Sequence, residues 1–350
     1  MHYPADSRER LALDRGAPVS ESSERTNEPI AGGVSLVAAA DEPTGVAGVL
    51  VMAYGTPSRQ EDIAAYYTDI RRGRPPTDEQ LADLVRRYDA IGGLSPLTER
   101  TERQRAAIAA HLEAAAPGRY IVGVGLRHVE PRIETGMLSL LARRVDRVVG
   151  IVLAPHYSSM SVAAYLQRAS SAAGEHGLAF GAVTSWATEP AYVEFLAGEV
   201  AERLATMPAG TLVTFTAHSL PERILAAGDR YPNEVRATGA AVAAALGLDD
   251  DAWTVGWQSA GRTPEPWIGP DILAVIDDVA ADPDVAGLLV CPCGFVSDHL
   301  EVLYDLDIEA AGRAAERGLA FARTATANDD VRVMSALARL VTSTTAAIEA

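Results

Sequence analysis

"VAGLLVCPCGFVSDHLEVLYDLDIEA", residues 285–310, opens as an apolar run, turns through Pro292, Cys293 and Gly294, and goes on at helical spacing. A short continuous apolar run bounded by turn residues reads as a strand buried on both faces. The helix that follows at once makes this one β-α unit of a parallel sheet. On a wheel of 3.6 residues per turn, Asp298, Glu301, Asp305 and Glu309 fall within an arc of roughly 80°. Leu300, Leu303, Tyr304 and Ala311 take the opposite side. Like charges at this spacing repel by a few tenths of a kcal/mol each, and no Lys or Arg within the stretch faces them. The ridge is either a solvated helix face or a row of hard oxygen ligands for a divalent cation.

The same unit recurs along the chain. Apolar runs at "VAGVLVMAY", "YIVGVGL", "RVVGIVLAP", "LAFGAVTSW", "GTLVTFTAH", "WTVGWQS" and "LAFART" join the one above to give eight strands. Helical patterns such as "EDIAAYYTDIRR", "RQRAAIAAHLEAA", "PAYVEFLAGEVAERLATM" and "NEVRATGAAVAAALG" lie between most of them. This alternation predicts two α/β lobes of about four parallel strands each. The predicted organisation is a disordered polar tail over 1–45, a first lobe over 46–185 and a second over 186–325. A C-terminal helix over 326–350 packs back on the first lobe.

Four strands end in a sharp polar or Pro-containing turn: "VLVMAYGTP", "GIVLAPHYS", "LVTFTAHSLP" and "LLVCPCGFVSDHLE". Ligands of open parallel sheets bind beyond the carboxyl ends of the strands. Tyr54, His156, His218 and the acids of 298–309 are therefore candidates for one cleft, with simple connections as the alternative for any single turn. An imidazole at such an end can bind a borderline metal or accept a proton near neutral pH. His128 is a further, weaker candidate. One His with one Glu would form an open metal site.

Composition narrows the partners. A net charge of −17, from 30 basic and 47 acidic residues, disfavours nucleic acid or an anionic membrane and favours cations. No apolar run reaches the ~18 residues of a membrane helix. Two cysteines, Cys291 and Cys293, fit a reducing cytoplasm; one residue apart, they are a weak soft-metal signal. Neither a P-loop nor a GxGxxG after a strand supports nucleotide binding. Arg71, Arg72, Arg74, Arg86 and Arg87 form the basic part of the chain, suited to carboxylates. "IGGLSP" can bring a flat ligand close to the backbone, and "GWQSAGRTPEPWIGP" reads as an ordered loop or lid.

Eight stretches in one order, "LVMAYGTP", "YYTDIRRGRPP", "RYDAIGGLSPL", "GLRHVEP", "LAPHYSSMSVAAY", "TAHSLPERI", "VGWQSAGRTPEPWIGPD" and "GFVSDHLEVLYDLDIEA", resemble the ferrochelatase family over about residues 46–340. The likeness is nearest the soluble bacterial branch acting on coproporphyrin III. It implies a chelatase-like α/β fold of two Rossmann-like lobes, each a four-stranded parallel sheet flanked by helices. It implies insertion of Fe2+ into coproporphyrin III, giving coproheme for haem biosynthesis in the cytoplasm. His218 and Glu301 take the family's catalytic, metal-binding positions, and Asp305 and Glu309 continue as a cation path. Tyr54, Arg71, Arg87, Tyr88, Ser95 and Tyr165 take its porphyrin-binding positions. Iron and coproporphyrin III are the expected partners, together with transient contacts to neighbouring haem-pathway enzymes. With only two cysteines, neither an iron–sulfur cluster nor an organic cofactor is expected.

Other readings stand beside this one: a protoporphyrin IX ferrochelatase, or a cobalt or nickel chelatase for a sirohydrochlorin-like ring, in which His156 or His128 would join His218. Two more are a haem or porphyrin carrier with Tyr54 as axial ligand, and a metal-binding protein that never meets porphyrin.

Overall fold

The computed structural model describes residues 45–350 apart from Arg262, so the expected tail lies outside the described residues up to residue 44. All eight expected strands form: β1 Ala47–Ala53, β2 Tyr120–Leu126, β3 Arg147–Val152, β4 Ala179–Val183, β5 Thr211–His218, β6 Trp253–Gln258, β7 Gly287–Cys291 and β8 Ala320–Arg323. They make two four-stranded sheets, ordered β2-β1-β3-β4 and β6-β5-β7-β8. Every pairing is parallel. Each residue of β1 and of β7 is buried, as continuous apolar strands covered on both faces require.

The helices are α1 Ile63–Ile70, α2 Asp78–Ala90, α3 Leu97–Ala115, α4 Ile133–Leu141, α5 Val162–Glu175 and α6 Pro190–Leu204. They continue as α7 Arg223–Ala226, α8 Tyr231–Leu246, α9 Ile272–Ala280, α10 Leu300–Leu303, α11 Ala311–Arg317 and α12 Val331–Glu349. One apolar core joins the sheets: Val49 and Val149 of the first and Val213 and Leu289 of the second share it with Tyr192 and Leu196 of α6. Helix α12 lies on α3 and β4 and also meets α6. It starts at Val331, five residues later than the predicted 326, because the Asp330 carboxylate accepts from Arg332 N and Val333 N and caps the helix there. Its far end is tied down where Arg119 and Arg147 both donate to Glu349.

The two sheets share a topology. In each, the strand order reverses beside the first strand, between β1 and β3 and between β5 and β7. Such switch points open a crevice at the strands' carboxyl ends. Tyr54 follows β1 and His218 ends β5, so the pair occupies equivalent places in the two sheets.

Candidate active site

His218 is the last residue of β5, paired in register with Gln258 at the end of β6. Its Nδ1 contacts Ser219 O. A carbonyl only accepts, so the proton sits on Nδ1 and Nε2 is turned to Glu301, 3.6 Å from Oε1. Gln258 locks this arrangement from the neighbouring strand: Thr216 Oγ1 donates to its Oε1 at 2.9 Å, and its Nε2 donates to Glu301 O at 3.0 Å. His299 Nε2 lies 3.5 Å from the other Glu301 oxygen. The two side chains are 35% and 38% exposed, in a cleft open to a ligand but walled by protein. Burial would push the His218 pKa down, but the Glu301 carboxylate and the Ser219 carbonyl outweigh it and raise it. Burial would raise Glu301, and the two imidazoles instead hold it well below the usual carboxylate range.

The loop carrying Glu301 reaches β5 through Gly294, whose N–H donates to Thr216 O at 2.9 Å. A Cβ at Gly294 would lie 2.6 Å from Ala217 Cα. No side chain fits there, so glycine permits the close approach that brings Glu301 to His218.

The acidic stretch departs from the even helical ridge that the sequence predicts. Helix α10 stops after Leu303, and Asp305–Ala310 is wound one residue wider: Glu309 N donates to Tyr304 O at 3.0 Å, an i to i−5 bond. Normal winding resumes in α11. The widened turn buries Asp305 but leaves Glu309 in the cleft wall. The acids are not unpaired either. Arg87 of α2 reaches Asp305 Oδ1 at 3.3 Å and Glu309 Oε1 at 3.7 Å, with its guanidinium 4.7 Å from the Tyr304 ring centre. Ser259 Oγ donates to Asp305 Oδ2. Burial first, then the Glu301 charge, raises the Asp305 pKa to about 7 against the lowering by Ser259 and Arg87. Asp298 bonds Asn328 Nδ2 and lies 3.3 Å from Arg323, which also donates to Asp307. The predicted repulsion persists between Glu301, Asp305 and Glu309, and Arg87 from another element, invisible at local spacing, offsets part of it.

The opposite wall is aromatic. Tyr54 is 39% exposed, with its ring 4.4 Å from that of His128 and edge-on to Tyr66. Tyr88 of α2 is buried against Thr56, and Tyr165 of α5 is buried beneath Arg127. Burial raises the phenol pKa of both to about 12, and the Glu301 charge adds to the rise at Tyr54, Tyr88 and Tyr165 alike.

Residues 46–345 match the family model described as ferrochelatase. The chain belongs to the ferrochelatase family. It is 41% identical over 302 residues to the coproporphyrin III ferrochelatase of Anoxybacillus flavithermus, covering 85% of this chain and 95% of the relative. The coproporphyrin III ferrochelatase of Bacillus subtilis is 41% identical over 300 residues, covering 84% and 96%. Among solved structures, SirB from Bacillus subtilis with Fe3+ is similar with a TM-score of 0.55 at 10% identity, over 87% of this chain and 97% of that one. That likeness shows the fold alone, and it is a two-lobed chelatase-like fold.

His218, Glu301, Asp305 and Arg87 come together as one cluster, with Tyr54 across the cleft. Arg71, after α1, donates Nε to Arg74 O and lies over Tyr67. Ser95 is buried, its Oγ accepting from Leu97 N at the start of α3. His156 does not join His218: it is buried and bonded to Thr238 Oγ1 at 2.8 Å, and burial lowers its pKa to about 3. His128 is held by Asp69 at 2.6 Å. Both cysteines are buried in the core, where burial raises their thiol pKa values.

The sequence reading missed Gln258, Ser259 and His299. Gln258 and Ser259 lie at the end of the expected strand "WTVGWQS", in a stretch that also reads as a loop or lid, and nothing local singles out either. Ser259 has a φ of 61°, a conformation that favours glycine, and it is held there against the buried Asp305. His299 stands two residues from Glu301, and only the turn before α10 brings its ring back.

Proposed function

We propose that the cleft between the two sheets inserts Fe2+ into coproporphyrin III, releasing two protons. The observation that carries this is the His218–Glu301 pair, open on the side facing the Tyr54 wall. We place the flat macrocycle between these faces. We assign residues 46–185 with the C-terminal helix to one wall and 186–325 to the other, working in the cytoplasm. Among the described residues no helix is long and apolar enough to cross a membrane.

Iron arrives as an aquo cation. A borderline nitrogen and a hard carboxylate oxygen, with positions left open, bind it without enclosing it. Glu309 and Asp305 lead from the exposed edge toward Glu301 and guide the cation inward. The pyrrole protons must leave as the Fe–N bonds form. Iron displaces the proton of the His218 imidazolium as it binds; when iron passes to the ring, the freed Nε2 accepts one pyrrole proton, the Glu301 charge stabilises the imidazolium that results, and the other proton goes to solvent. Arg71 and Arg87 suit the carboxylates of a four-propionate ring, with Tyr88, Ser95 and Tyr165 completing that wall. Binding the rest of the ring offsets the distortion that turns its nitrogens toward the metal.

The sirohydrochlorin reading names His156 or His128 as the imidazole joining His218, and both are committed elsewhere, to Thr238 and to Asp69. Purified protein mixed anaerobically with Fe2+ should convert coproporphyrin III faster than protoporphyrin IX or sirohydrochlorin, followed by absorption. A faster protoporphyrin IX reaction would replace the substrate assignment, and tight binding without turnover would replace the enzyme by a carrier.

A further inference from the structure

The loop after β3, residues 153–161, leaves the first sheet, yet the second half of the chain holds it. Asp229 Oδ2 accepts from Ser159 N at 2.7 Å, Ser159 Oγ at 2.6 Å and Ser158 Oγ at 3.2 Å. Its other oxygen accepts from Tyr231 N at 2.9 Å, at the first residue of α8. Glu234, one turn on, accepts from Tyr157 N and from Ser185 Oγ, both at 2.7 Å. Arg230 pairs with Glu234 at 2.7 Å and lies over the Tyr157 ring at 4.3 Å. His156 Nε2 meets Thr238 Oγ1, whose hydroxyl proton goes to Ala187 O, so His156 donates to α8. The start of α8 is therefore a half-buried hub joining this loop to the second half of the chain.

Tyr231 joins this hub to the candidate metal site. Its hydroxyl donates to His218 O at 2.9 Å. Its ring is edge-on to His156 at 6.3 Å and tilted on Trp257 at 5.6 Å. The same loop runs directly into α5, which carries Tyr165. One rigid connection thus fixes both the wall that carries Tyr165 and the strand end that carries His218.

We propose that Tyr231 is a positioning residue for His218, and that the Asp229 clamp on Ser158 and Ser159 sets its position from the facing half of the molecule. This rests on the reading of His218 as metal ligand and proton acceptor. The phenol bond restrains the carbonyl of the residue whose imidazole must meet iron. The clamp keeps α8, and so the phenol, at a fixed distance from the porphyrin wall. Releasing the phenol bond lets His218 drift while the porphyrin surface stays whole, whereas releasing the clamp loosens both, and small displacements of a reacting group are costly in rate.

The test is Tyr231→Phe in the full chain, which keeps both ring contacts and removes one hydrogen bond. The expected result is a fall in kcat of about 5- to 10-fold, the size of one net hydrogen bond. KM for coproporphyrin should be unchanged and Tm should fall by no more than a few degrees, as for one lost hydrogen bond. Asp229→Asn should act in the same direction, and the double variant should lose less than the product of the two. Co2+ titration without porphyrin, followed by its visible absorption and with His218→Ala marking the site, reads the position independently of turnover. Weaker Co2+ binding in Tyr231→Phe by a similar factor supports the assignment. Wild-type Co2+ affinity and wild-type kcat per porphyrin-binding site would overturn it. Inactivity of the wild type toward porphyrin would instead refute the proposed function, while the Co2+ ratio still decides the role of Tyr231.

Discussion

His218 and Glu301 each set the other's charge. The carboxylate raises the imidazole pKa and the imidazole lowers the carboxylate's, so near neutral pH the empty site holds an ion pair. An incoming dication displaces the proton from Nε2. Replacing Glu301 by Gln removes the carboxylate charge that raises the His218 pKa, which, followed by imidazole NMR, should fall. An unchanged titration would mean the two do not communicate. Asp305 titrates within the working range, near 7, because it is buried beside another carboxylate. Below that pH it gains a proton and the cation path loses a charge. KM for Fe2+ should therefore rise as pH falls through about 7, and Asp305→Asn should flatten that dependence. A wild-type KM flat from pH 6 to 8 would remove Asp305 from the path. At this scale the sequence was partly legible. His218 is a candidate by type and place and Glu301 only one of four acids, singled out by the family resemblance, whereas Arg87, 218 residues from Asp305 in the chain, carries no local sign of its partner.

The elements explain where the helical wheel failed. A wheel assumes one periodicity, and residues 300–317 change winding twice. No residue in Asp305–Ala310 forbids an α-helix. The widened turn is imposed by packing, with Leu306 and Ala310 buried against Ile272 and Val275 of α9 as part of one core cluster. The strands, by contrast, were readable because an apolar run buried on both faces has no other stable use. The loop between β7 and α10 was readable only as a turn, although its geometry depends on Gly294. Gly294→Ala must push the loop away from β5, at about 1–3 kcal/mol for overpacking. Tm should drop by several degrees and iron insertion should fall further than stability alone accounts for. A variant with wild-type Tm and rate would show that the close approach is unnecessary.

Across the whole molecule, order along the chain and order in space differ at one place. The last helix, α12, belongs by sequence after the second sheet but packs on β4 and α3 of the first. Glu349 bridges Arg119 and Arg147 there. Gly181 of β4 leaves the space that Ile348 fills: a Cβ would lie 2.6 Å from it. The sequence suggested this return, but the partners of Glu349 come from distant segments and could not be named. Glu349→Gln should lower stability by roughly 1 kcal/mol, seen as a small fall in Tm without a change in kcat. A change in kcat at constant Tm would connect this far surface to the cleft instead.

The central claim is that the His218–Glu301 pair performs metal insertion and does not merely line a porphyrin pocket. A single-turnover reaction separates the two. His218→Ala is loaded with coproporphyrin III, mixed anaerobically with Fe2+ and followed by absorption. Coproporphyrin binding should stay within about twofold of wild type and insertion should slow by at least about 100-fold, as for loss of a general base. Insertion at near the wild-type rate by the loaded variant would contradict the claim.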